Sequence, residues 1–98
     1  MQSDLIDNKT ILRTLRKLKA LKADSPFRIE LTIKPWATRM KQTHCYECEV
    51  AQIFLGDELV ACLIDDNGRM ACRIPTVYAG AYHVVTIAQL DARLARLY

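Results

Sequence analysis

Residues 44–74 read HCYECEVAQIFLGDELVACLIDDNGRMACRI, and this stretch decides the fold. Three apolar-rich runs, residues 44–55, 58–65 and 69–74, are separated by two turn signals. Gly56-Asp57 suits a two-residue hairpin turn in which glycine supplies the positive φ. Runs joined this tightly pair antiparallel, so the stretch predicts a three-strand meander.

The second turn admits two registers. A two-residue Asn67-Gly68 turn sets Cys62 opposite Arg73. A three-residue loop with Gly68 as a bulge sets Cys62 opposite Cys72 instead. The bulged form gathers Ala51, Ile53, Val60, Cys62, Ile64, Met70, Cys72 and Ile74 on one face, whereas the tight form puts Arg73 among them. Burying a guanidinium that lacks a partner costs several kcal/mol, so the bulged register is expected, with the opposite face the more polar. A one-residue slip would exchange the two faces.

Working upstream, residues 27–34 alternate: Phe27, Ile29, Leu31 and Ile33 point one way, Arg28, Glu30, Thr32 and Lys34 the other. Period two with one polar face is a half-buried strand, and Pro35 is expected to end it. Residues 35–43 follow neither period and read as an exposed connection. Residues 4–22 predict an amphipathic helix, with Leu5, Ile11, Leu12, Leu15 and Leu18 on one side and Lys9, Arg13, Arg16 and Lys17 on the other. Asp4 and Asp7 suit the positive end of its dipole, and Lys17, Lys19 and Lys22 the negative end. Asp24-Ser25-Pro26 stops it.

Downstream, residues 82–85 offer a short strand. Thr86-Ile87-Ala88-Gln89 then matches a capping box, and Ile87, Leu90, Leu94 and Leu97 give the helix after it an apolar stripe. The order predicts an α+β fold: an antiparallel sheet of four or five strands with an N-terminal and a C-terminal helix packed on its apolar face. At 98 residues, with 51% hydrophobic and 26% charged, the chain suits one folded domain over residues 1–98 and excludes disorder.

Charge is unevenly placed. Residues 1–41 hold ten Lys/Arg against four Asp/Glu, and residues 42–98 hold four against seven, which together give the net +3. No apolar run is long enough to cross a membrane, and the polar, acidic first residues are unlike a secretory signal. A cytoplasmic location with reduced thiols is therefore expected.

The chemistry-bearing residues are few. Cys45 and Cys48 form a C-x-x-C, but Cys62 and Cys72 do not form the second such pair that a structural zinc site normally uses. With Ala51 opposite Cys62, Cys45 lies six residues, roughly 20 Å, further along its strand, too far for one shared ion. No metal or other cofactor is expected, and Cys62 and Cys72 read as small buried apolar residues. His44 and His83 are the histidines, Ser3 and Ser25 the serines, and the three glycines are isolated. A Cys–His pair such as Cys45 with His83 is open to the sequence, and Glu47/Glu49 and Asp57/Glu58 read as solvated acids. No catalytic set is assigned.

The remaining candidates are binding residues. Lys9, Arg13, Arg16 and Lys17 make a cationic helix face suited to an acidic surface. Trp36, Arg39 and Met40 follow Pro35, and these residue types are enriched at protein interfaces. The expected function is a non-catalytic binding protein docking on a larger protein. A modulator or inhibitor of a nucleic-acid-processing complex, of the kind a phage or plasmid carries, fits that description. The alternatives are a direct nucleic-acid binder using the basic helix and a small metal or thiol-redox protein. No membrane partner is expected, because the leucine stripe is needed for the core.

Overall fold

In the computed structural model, which describes residues 8–22, 24–36, 46–66, 69–76 and 82–97, five antiparallel strands lie side by side in chain order. They are β1 (Phe27–Trp36), β2 (Tyr46–Leu55), β3 (Glu58–Asp66), β4 (Arg69–Pro75) and β5 (Tyr82–Val85). Helix α1 (Lys9–Lys17) precedes them, followed by a single 3-10 turn at Lys19–Leu21, and helix α2 (Ile87–Ala95) comes last. The fold is α+β: a five-strand meander with both helices on one face. Ile11, Leu18, Ala20, Leu90 and Leu94 from the helical segments pack with Ala51, Ile53, Ala61, Leu63, Cys72 and Ile74 from the sheet.

The register differs from expectation in an informative way. Asp66 pairs with Arg69 and Cys62 with Arg73, so the second turn is the tight one at residues 67–68. The irregularity lies in the first hairpin. Ile53 faces Ala61 while Phe54 faces Leu59, which leaves Val60 as an extra residue. Gly56 opens that hairpin's turn at φ +63. The bulge at Val60 reverses the parity of β3, so Ala61 and Leu63, not Cys62 and Ile64, face the helices. Arg73 is thereby directed to the other face even though the turn is tight. The inserted residue thus sits one hairpin earlier than expected, and Arg73 lies on the second face with its Nε buried.

The second face is not polar at its centre. Cys48, Val50, Cys62 and Ile64 are buried there, with Leu59, Ala71 and Tyr82 beside them. Residues 60–64 of the central strand are thus all buried, as a strand covered on both sides requires. Nearer the margin, the Arg28 guanidinium lies 4.4 Å from the centroid of the Phe54 ring, its direct cross-strand neighbour. Cys62 and Cys72, expected to be opposite one another, lie on opposite faces, and Cys48, Cys62 and Cys72 are all buried.

The ends of elements also shift. α1 begins after Asn8, whose side chain accepts from the Ile11 amide at 2.9 Å, so the helix is shorter than residues 4–22. Leu18 adopts an extended backbone and ends it. Leu5, Asp4 and Asp7 lie outside the described residues. β1 runs through Pro35 to Trp36, because an edge strand tolerates a residue that lacks an N–H. At α2 the capping box is present as read: Thr86 Oγ1 accepts from the Gln89 amide and the Gln89 side chain accepts from the Thr86 amide.

Two stability measurements follow. Leu63→Ala empties a fully buried central site and is expected to cost about 2–5 kcal/mol in urea unfolding, well above the cost of Ile29→Ala at the exposed edge. Burial pushes the Cys72 thiol above its ordinary pKa. Burial, reinforced by Cys62 and opposed by Arg73, does the same to the Tyr82 phenol. Folding therefore favours their protonated forms. That contribution is complete below the unfolded thiol pKa, about 8.5, and is lost as pH rises through the folded value. The urea midpoint should fall from about pH 8.5 upward, and less steeply in Cys72→Ala.

Candidate binding face of the first helix

Asn8 fixes the helix that carries the candidate residues. Its Oδ1 caps α1, while its Nδ2 donates to Glu49 at 2.5 Å and to Asp65 at 2.6 Å. Glu49 and Asp65 are direct cross-strand partners on β2 and β3, and like charges so placed repel. One amide bridges both carboxylates. The positive end of the α1 dipole lies at the same end, and the first turn contains no acid of its own. The sheet thus brings two carboxylates to that end of the helix.

Sequence reading missed this contact. Its only local mark is an acid, Glu49, occupying the same strand parity as Ala51 and Ile53.

With its start anchored and Ile11 and Thr14 turned inward, α1 has one orientation. Lys9, Arg13, Arg16 and Lys17 are all exposed, and none forms an ion pair with another described residue. Lys19 and Lys22 are exposed just beyond. Arg16 and Lys17 also occupy the last turn, where a cation suits the dipole. The 3-10 turn is tied to α2 by the Ala20 amide, which donates to Asp91 Oδ1 at 2.9 Å, so the far end of the cationic face is fixed as well.

The second group of candidates is less fully placed. Trp36 is the last residue of β1, opposite Tyr46. Arg39 and Met40 lie outside the described residues. Asn8 reaches Glu49, Glu49 faces Ile33, and Trp36 is three residues on, about 10 Å along the strand. The start of α1 and the end of β1 therefore lie toward the same end of the sheet.

Among the described residues no group of three His, Cys, Asp or Glu is placed to hold a metal ion. Cys48 of the C-x-x-C is buried, and Cys45 lies outside the described residues. His83 is exposed on the rim of an open groove of about 730 Å³, which Glu58, Val60, Ile74, Arg93 and Leu97 also line. No helix among the described residues is long and apolar enough to cross a membrane. Comparison with protein-family models, with curated proteins and with solved structures yields no match.

The Asn8 bridge can be separated from ordinary capping. Aspartate caps helices as well as asparagine does, so Asn8→Asp would be nearly neutral at an isolated cap. Here it puts a third carboxylate against Glu49 and Asp65. It is expected to lower stability at pH 7 by about 1 kcal/mol, read as a lower urea midpoint than that of the parent chain.

Proposed function

We propose that this chain is a non-catalytic binding protein that docks on a larger protein through the cationic face of α1. One observation carries the reading: four cations, exposed together on a helix anchored at both ends, make no ion pair among the described residues. Arg16 and Lys17 also suit the negative end of the helix dipole. Such a face attracts acidic surfaces and speeds encounter with them. Trp36, at the same end of the sheet, would supply an aromatic anchor, with Arg39 and Met40 following it in sequence. The acidic partner we favour is a protein of a nucleic-acid-processing complex in the cytoplasm, with the chain acting as modulator or inhibitor in the manner of phage or plasmid accessory proteins.

The test is affinity capture from the source cell, repeated after nuclease treatment, with the parent chain and with Lys9→Gln/Arg13→Gln/Arg16→Gln/Lys17→Gln. A discrete protein retained after nuclease, and lost by at least about tenfold with the quadruple variant and with Trp36→Ala, is the expected result. Retention of nucleic acid alone, with affinity falling steeply as salt rises, would replace this reading with direct nucleic-acid binding. Capture unchanged by the quadruple variant would reject the helix face altogether.

A further inference from the structure

The sheet carries a groove at the end where β3 begins and β4 finishes, opposite the end at which Asn8 anchors α1. Its volume of about 730 Å³ is that of a small-ligand site. Val60 and Ile74 of the helix-side core line it. So does Leu97, just beyond α2, which is 39% exposed. Glu58, His83 and Arg93 complete the wall and are exposed. None of these three side chains forms an ion pair among the described residues.

The topology sets the three apart. Glu58 stands opposite Leu55 on β2, and His83 on β5 stands opposite Ile74. Leu55 and Ile74 both pack with the core beneath the helices, so Glu58 and His83 share that face. Two inter-strand spacings, about 10 Å, separate β3 from β5. Arg93 belongs to the β5 side. Asp91 of α2 faces the 3-10 turn that follows α1, and Arg93 is about 200° further round the helix, on the flank away from α1. With α1 over β3 and β4 and α2 over β4, that flank faces β5. A guanidinium and an imidazole thus stand on one side of the groove, a carboxylate on the other, and apolar side chains between.

We propose that this groove binds a short peptide with free ends, its carboxylate against Arg93 and His83, its ammonium against Glu58 and its apolar side chains on Val60, Ile74 and Leu97. The order of charges and the span select this occupant. Guanidinium and imidazole N–H groups donate to a carboxylate, and Glu58 accepts from an ammonium. An extended segment of about three residues spans about 10 Å, the separation of β3 from β5. An aliphatic carboxylate would satisfy only the β5 side and lay its chain over Glu58. A nucleic-acid strand would bring phosphates to the same carboxylate. The site uses none of the cations on the outer face of α1, so it is separate from the docking face proposed above.

Titration of the full chain with the tripeptide Leu-Val-Leu, followed through amide chemical shifts in NMR, tests this. Saturable shifts should appear at Val60, Ile74, His83 and Leu97 and not along the outer face of α1. Blocking the peptide's carboxyl end as an amide, or its amino end with an acetyl group, should each weaken binding by about fivefold. Arg93→Gln should shrink the difference between free and amidated peptide and leave that between free and acetylated peptide intact. Glu58→Gln should do the converse. Both substitutions lie at exposed positions, and far-UV circular dichroism establishes that each variant is folded. No saturable shifts at millimolar peptide, shifts centred away from the groove, or end-blocking effects indifferent to both substitutions would each overturn the proposal.

Discussion

One inserted residue in β3 decides which side chains of β4 meet the helices, and much of the sheet follows from it. Both hairpin turns are tight. Without an extra residue, Ala51, Cys62 and Arg73 would stand in one row across β2, β3 and β4. The bulge at Val60 moves β3 by one position, so the row becomes Ala51, Leu63 and Cys72. The guanidinium then lies with Cys62 and Tyr82 on the other face. One inserted residue decides which half of the central strand meets the helices, because the side-chain period of a strand is two.

The same shift explains why the middle of the sheet is apolar on both sides. β3 contributes Ala61 and Leu63 to one cluster and Cys62 and Ile64 to the other. With the helices concentrated over β3 and β4, the meander grows outward to β1, where covering is thinnest. The strand that lies furthest from the helices is therefore also one of the two longest. Its margin is left with isoleucines on one side and an ordered series of charges on the other.

How much of this was legible depends on the range of each signal. Gly56-Asp57 and the Thr86–Gln89 capping box are local chemistry, and they place their elements to within a few residues, whereas α1 ends at Leu18, ahead of the Asp24-Ser25-Pro26 stop. The bulge carries no such mark. Val60 lies in the run LVACLI, whose residues suit either face, so alternation cannot reveal a slip there. Pro35 looked like a terminator because its missing N–H would break an interior ladder; at an edge that deficit costs little. The exposure of Lys9, Arg13, Arg16 and Lys17 was legible from helical periodicity. The bond from Asn8 to residues 41 and 57 positions away was not, since only the folded register brings Glu49 and Asp65 together.

That long-range contact bears on function through what it leaves unused. Two carboxylates that would otherwise repel are held by one neutral amide and by the positive end of α1. The anchoring of the helix thus consumes negative charge from the sheet and none of the positive charge on its own outer surface. Ile11 and Leu18 bury the inner side, Asn8 and Asp91 fix the ends, and among the described residues the cations form no ion pair that holds the helix down. Among the described residues, the contacts that hold this short helix therefore come from side chains other than its four outer cations.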